Sequence, residues 1–444
     1  MMDKKFDKNG RLLFTKQMKQ DYLILMPMML PIHFSFMQKI LTKHGYKVEL
    51  LKTNHPQIVN EGLQSVHNDT CYPALLVIGQ LIDAVKSGKY DKEKIALFMS
   101  QTGGGCRASN YIFLLRRALK RHGLEDIPVV SFSISNMEKN PGFKLTVPMM
   151  MQFVNAILYG DMLMLLSNQT RPYELNPGET DALIQKWYDR LLKNVSFRDF
   201  YWTSKVNLNL REMAKDFADI AQSRRKCVQV GIVGEIYIKY APLGNNNLEA
   251  FLQSEGVEVT VPGLLDFVLY MADNPINDSS YYGFSRAKAI LWQQLKTYLE
   301  KRQNELIAAV KTQPKFRSPS TFGHLKSLVR SCLSPGVKMG EGWLLTAEML
   351  ELIDSGVPNI VCTQPFGCLP NHIVGKGMMR LVKDLNPGAN IVAIDYDPGA
   401  TKINQENRIK LMLANAVKNL ENKEPEKQPG SEDFASTTNS KGRH

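Results

Sequence analysis

Short apolar runs alternate with helix-length segments along this chain, and that alternation restricts the fold more than any other feature. Residues 22–28 read as a buried strand. Pro31 opens a helix pattern that stops near Gly45, with proline in the first turn and glycine at the end. A strand at 48–51, a helix at 73–85, a strand at 96–99, a helix at 110–122 and a strand at 127–134 follow. Strands separated by helices of this length return to one sheet in parallel. This predicts a first α/β domain over residues 1–145.

The pattern pauses over 146–225, which reads as helical. Met149, Met150, Met151, Met162 and Met164 give this segment a soft apolar face. Such a face suits a packed core helix, with a flexible subunit contact in a homo- or hetero-oligomer as the alternative. Alternation resumes in a second domain, 226–420. Strands are expected at 228–238, 257–261, 359–362 and 391–394, and helices at 248–254, 344–353, 372–383 and about 403–420. A helical insertion is expected at 276–340, built around a long amphipathic helix at 284–311. From 421 to 444 the chain is polar, too poor in apolar groups to offset its own ordering entropy.

The 444 residues exceed what one core usually serves, so more than one domain is expected. With 44% hydrophobic and 22% charged residues the chain has the balance of a globular protein. Residues 1–17 are charged and lack the apolar region of a secretory signal. The longest apolar stretch, 147–166, is interrupted by Gln152, Asn155 and Asp161, which predicts a buried helix and no membrane span. A cytoplasmic protein is therefore expected. The net charge of +12 favours solubility and a general attraction for anions, or for an acidic ligand or partner. Nucleic acid is not expected, since zinc-finger spacings, aromatic RNA-binding signatures and basic heptads are all missing from the sequence.

The chemistry is concentrated in the cysteines. There are six, at positions 71, 106, 227, 332, 362 and 368, with no CxxC pair. In a large chain of this kind they are expected as thiols or ligands, not disulfides. Cys71 lies where a loop enters a helix, in His67-Asn68-Asp69-Thr70-Cys71-Tyr72-Pro73. Cys106 follows a strand, in Gln101-Thr102-Gly103-Gly104-Gly105-Cys106. Cys368 follows another, in Thr363-Gln364-Pro365-Phe366-Gly367-Cys368-Leu369-Pro370. Open α/β sheets bind ligands at their carboxyl edge. Helix N-termini and glycine-rich turns offer free N–H groups that stabilise thiolates and a negative cluster. Gly103, Gly104, Gly105 and Gly367 would shape these loops and donate from their backbone. Cys362 sits inside a strand, as a further candidate ligand or a core side chain. Cys227 and Cys332 have no such turn and read as structural.

Other motifs point elsewhere or nowhere. Gly103 to Ala108 fits G-x-G-x-x-A after a strand, so an NAD- or flavin-dependent oxidoreductase is an alternative. The context is unfavourable, because this is not the first strand and Glu125 and Asp126 precede a strand. Gly375-Lys376-Gly377 lacks the other parts of a P-loop, leaving Lys376 as a surface residue. Asp397 is expected in a turn, capping the next helix. Glu235, Lys239 and Tyr240 lie where they could line a cleft. A non-catalytic α/β binding module with inert cysteines is the third reading.

Asp69-Thr70-Cys71-Tyr72-Pro73-Ala74, Gly342-Trp343-Leu344-Leu345-Thr346-Ala347-Glu348 and the cysteine loop Pro365-Phe366-Gly367-Cys368-Leu369-Pro370 together resemble the 2-hydroxyacyl-CoA dehydratase superfamily. The nearest branch is the activase-related one, as a stand-alone form of the region that follows its ATPase modules. The likeness covers most of residues 20–418. It implies two flavodoxin/Rossmann-like parallel-sheet domains with an iron–sulfur cluster between them, [4Fe-4S] or double-cubane. It implies Cys71, Cys106 and Cys368 as ligands. It also implies a separate ATP-hydrolysing activator as electron donor, and an acyl-CoA or other small substrate. The reaction expected of that family is a radical dehydration. No CoA-binding signature is recognisable here, and no nucleotide-hydrolysing loop.

Overall fold

A computed structural model of the chain describes residues 5–8, 10–102, 104–132, 138, 140–193, 200 and 202–421. The expected tail at 421–444 lies, from 422 on, outside them. The first half builds a sheet from β1 (Leu23–Pro27), β2 (Lys47–Leu51), β3 (Ile95–Ser100) and β4 (Val129–Phe132). All pairings are parallel and the order is β2-β1-β3-β4. The second half repeats the plan with β5 (Gln229–Gly234), β6 (Glu258–Thr260), β7 (Asn359–Pro365) and β8 (Asn390–Tyr396), in the order β6-β5-β7-β8. Both orders are the flavodoxin-like doubly wound arrangement, which reverses direction between its first and third strands. Successive residues of the central strands are buried, Ile95 to Met99 in β3 and Ile360 to Pro365 in β7, as expected of sheets covered on both faces.

A short α1 (Met18–Asp21) precedes β1, and the crossovers of the first half are α2 (Pro31–Lys43), α3 (Gln57–Ser65), α4 (Tyr72–Lys86) and α5 (Tyr111–Arg121). Then come α6 (Val147–Thr170), α7 (Glu179–Lys193) and α8 (Thr203–Asp219). Thr146 caps α6 by accepting from the Met149 amide, and Pro148 occupies its first turn. By length and composition α6 could cross a membrane, yet it is mostly buried in this fold. It packs on α2 and α8 on one side, and on β6 and the second half's insertion on the other. Its polar residues explain the burial. Asn155 donates to the Phe200 carbonyl and accepts from Arg302, itself almost fully buried.

The second half adds α9 (Ile236–Tyr240), α10 (Pro242–Asn245), α11 (Leu248–Ser254), α12 (Leu264–Tyr282), α13 (Arg286–Val310), α14 (Phe322–Val329), α15 (Trp343–Asp354), α16 (Met379–Leu385) and α17 (Lys402–Glu421). Four boundaries differ from the sequence expectation. The strand expected at 228–238 stops at Gly234, whose φ of 135° turns the chain into α9, with Glu235 as its cap. The helical insertion begins at Leu264 and not at 276, because α12 runs on through Pro275. The helix expected at 372–383 is a π turn, Asn371–Gly375, then a short 3-10 turn, then α16. Asp397 builds its turn by accepting from the Gly399 amide, and the cap of α17 falls to Thr401.

One buried carboxylate holds the halves together. Asp161, midway along α6, accepts from the backbone amides of Leu264 (2.8 Å) and Leu265 (3.0 Å), the first residues of α12. Those amides have no partner within their own helix. The same carboxylate lies 2.8 Å from Nε2 of His33 on α2. A Cβ at Gly160 would stand 2.4 Å from the His33 ring, so the approach requires glycine. Three elements distant in sequence thus meet on one side chain. Asp161→Ala leaves buried donors unsatisfied and should cost roughly 3–5 kcal/mol. Denaturant midpoints of the variant and the wild-type chain measure this, and a loss under about 1 kcal/mol would refute the role.

Candidate functional site

Each cysteine expected as a ligand sits at the start of a helical turn. Cys71 is the residue before α4, with Pro73 in that helix's first turn. Cys106 precedes a 3-10 turn, Arg107–Ser109, beyond the end of β3. Its loop is stitched down: Gln101 donates to the Ser109 carbonyl at 3.1 Å and accepts from Ser131, and the Ser109 hydroxyl donates to the Gly104 carbonyl at 2.8 Å. Cys368 lies in the turn after β7, where its amide reaches the Pro365 carbonyl at 3.3 Å. Gly367 holds φ at 71°, a left-handed value that side-chain-bearing residues avoid.

The fold brings the three loops together at the carboxyl edges of both sheets. The Tyr72 amide donates to the Phe366 carbonyl at 3.0 Å, joining the Cys71 and Cys368 turns across the two halves. A Cβ at position 367 would stand 3.1 Å from Cα of Cys71, so glycine also makes room for this contact. Gly105 faces the Met339 side chain and Gly340 faces Pro370, which closes the ring of loops. A Cβ at Gly104 would meet no other group. Gly103 lies outside the described residues. The charges of Cys71 and Cys106 influence each other, as do those of Cys106 and Cys368.

Two further carboxyls enter the same space. Glu235 accepts from the Ile238 amide at 2.9 Å and Glu341 from the Ile236 amide at 3.0 Å, both at the start of α9. Burial raises the Glu235 carboxyl to about 8, with Glu341 adding to the effect and α9 amides opposing it. Burial raises Glu341 as well. Of the cations nearby, Lys239 is committed to Glu348 at 2.8 Å in a buried ion pair, while Arg107, next to Cys106, favours the Cys71 thiolate. Burial pushes the thiols up: Cys71 upward, Cys106 to about 11, Cys368 further. In each case a backbone amide of the following turn favours the thiolate, from Ala74, Ala108 and Asn371 respectively. The Tyr111 hydroxyl stands 3.0 Å from the Cys71 sulfur, and burial holds it far above its ordinary value, so it stays a phenol able to donate.

The remaining cysteines stand apart. Cys362 is buried in mid-strand β7 beside Gly375, raised to about 12 by burial, and its acidic neighbours are Glu348 and Asp395. It occupies the core position that was its alternative. Cys227 neighbours Tyr173 and Arg225, and Cys332 donates to the Val329 carbonyl. Lys376 is exposed and reaches Asp395 at 3.2 Å. Among the described residues no group of three or more His, Cys, Asp or Glu could hold a single metal ion. The glycine run does not open directly onto a helix either. A 3-10 turn intervenes, and α5 starts only at Tyr111 without a side-chain cap. In dinucleotide-binding loops the helix N-terminus faces the pyrophosphate. Sequence reasoning named Glu235 but missed Tyr111 and Glu341. Nothing in their local patterns marks them, since one begins an ordinary helix and the other sits in a loop.

The buried carboxyl has a measurable sign. Folded, Glu235 keeps its proton to about pH 8, while unfolded it releases it near 4.5. Between these values the folded chain binds more protons, so this group's contribution to stability is present at low pH and is lost as pH rises towards 8. Glu235→Gln should therefore flatten the fall in melting temperature between pH 5 and pH 8. An unchanged slope would show that the carboxyl is ionised in the fold.

No protein-family model matches this sequence, and no curated protein matches it.

Proposed function

We propose that the chain carries an iron–sulfur cluster on Cys71, Cys106 and Cys368, as a component of a 2-hydroxyacyl-CoA dehydratase-like, ATP-driven low-potential reductase system. The observation that carries this reading is the clasp between the Cys71 and Cys368 turns, made by the Tyr72 amide and permitted by Gly367. It holds the Cys71 and Cys368 turns of the two halves against each other. The donor set suits such a group. Three thiols, each favoured as thiolate by an amide of its own turn, lie among carboxyls whose charged form burial disfavours. The thiols are buried beyond easy ionisation, so a cationic metal group would supply the charge that lets them ionise.

When bound, a cluster supplies a one-electron carrier of tunable potential. The chain's own residues would do the rest. The amides of Ala74, Ala108 and Asn371 would stabilise negative charge on the sulfurs. Tyr111 would donate to the Cys71 sulfur. Burial of Glu235 and Glu341 would oppose further negative charge beside the thiols. Phe366, Leu369, Ile373 and Met339 are exposed around the Cys368 turn and form an apolar rim on which an electron-donating activator would dock. The net charge of +12 would draw an acidic substrate such as an acyl-CoA.

Iron and acid-labile sulfide, measured after anaerobic reconstitution, test the reading. The wild-type chain should take up both. Cys71→Ala, Cys106→Ala and Cys368→Ala should each lose most of the iron, while Cys227→Ala and Cys332→Ala retain it, with far-ultraviolet circular dichroism unchanged throughout. A folded wild-type chain that takes up neither iron nor sulfide would end the proposal.

A further inference from the structure

Helix α5 carries two arginines that meet no counter-charge among the described residues. Arg116 on the same helix is held bidentately by Glu138, at 2.7 Å through each nitrogen. Arg121, by contrast, meets only the Gln64 carbonyl, at 2.7 Å. Arg117 makes no hydrogen bond or ion pair among the described residues. Four residues apart on a helix, two guanidiniums of one sign face each other and repel unless an anion sits between them.

Both line a cavity of about 390 Å³ between the end of α3, the loop leading to Cys71, and α5. No lining residue is acidic. The polar part of the wall comes from Ser65, His67, Asn68 and Thr70. Thr70 is 3% exposed, and its hydroxyl makes no hydrogen bond among the described residues. The apolar part is Leu63, Val66 and Leu114. Forked guanidiniums and hydroxyls recognise phosphate oxygens. The volume is that of a small-molecule site, far larger than one phosphate group fills.

We propose that this cavity binds a phosphorylated small molecule, with its phosphate on Arg117, Arg121 and Thr70 and its apolar part against Leu63, Val66 and Leu114. The site is separate from the thiol cleft but coupled to it. Thr70 is the residue before Cys71, and Leu114 stands one helical turn beyond Tyr111, whose hydroxyl touches the Cys71 sulfur. An occupant would brace the turn that carries Cys71. The proposal does not depend on the cluster reading.

Phosphorus and proton NMR titrations of the whole 444-residue chain test it, with inorganic phosphate and phenyl phosphate as probes. Phenyl phosphate should bind saturably at one site, and at least about fivefold more tightly than inorganic phosphate, through burial of its ring. Arg117→Ala with Arg121→Ala should weaken phenyl phosphate at least about tenfold, and Thr70→Val should weaken it several-fold. Both arginines are exposed, so the double variant should fold, as circular dichroism would check. Lys120→Ala, on the same helix outside the cavity, should leave the affinity unchanged. Absence of saturable binding would overturn the proposal, as would full affinity in the double arginine variant. An equal loss in Lys120→Ala would overturn it too, by showing general attraction to a basic chain. Equal affinity for the two probes would overturn the apolar half of the assignment.

Discussion

One buried carboxylate, Asp161, joins three elements from the two halves of this protein. It satisfies the first two amides of α12 and faces His33 of α2, while belonging to α6. A buried carboxylate is costly to desolvate and is tolerated only where donors surround it. That requirement makes the junction specific: α2, α6 and α12 meet in one arrangement or leave the charge uncompensated. Everything at the thiol cleft depends on this arrangement, because Cys71 and Cys106 come from one sheet and Cys368, Glu235 and Glu341 from the other half. The clasp from Tyr72 to Phe366 closes only if the sheets are already positioned.

The cleft itself is an electrostatic problem left open by the protein. Thiols and carboxyls are buried together; Lys239 is committed to Glu348, and Arg107 favours the Cys71 thiolate. Burial disfavours the charged forms of the acids, which is how such a group of side chains can coexist in a low-dielectric interior. The amides at the starts of the turns point the other way, towards negative charge on sulfur. Burial and the turn amides thus act on the same thiols in opposite directions. The cavity behind the Cys71 loop shows the opposite imbalance, with two arginines and no acid. The two regions share α5, through Tyr111 on one side and Arg117 and Arg121 on the other.

Much of this was legible in the chain, and the reasons are local. The two runs of alternating strand and helix predicted two parallel sheets, because period and element length fix how a segment can bury its apolar face. The three cysteine turns were legible because glycine and proline mark a helix start or a left-handed turn, as at Pro73 and Gly367. The errors fell where local signals conflict with what surrounds them. Pro275 lies inside α12, where the sequence alone favours a break, because the packed helix carries the chain past its missing hydrogen bond. The apolar run after Val228 continues past the strand, since Ile236 and Ile238 belong to a helix whose cap, Glu235, is read only with Gly234 in its left-handed conformation.

By itself, then, the sequence determined the class of fold, the parallel sheets and the positions of the cysteine turns, all of which follow from spacings within about twenty residues. Only the tertiary structure decided which cysteines share a cleft, that Cys362 belongs to a core strand, and that Glu235, Glu341 and Tyr111 join Cys71, Cys106 and Cys368. It also decided which arginines of α5 find a carboxylate and which do not. These are contacts between residues from different parts of the chain, often more than a hundred positions apart. Their chemistry arises from burial and neighbouring charge, which no local pattern encodes.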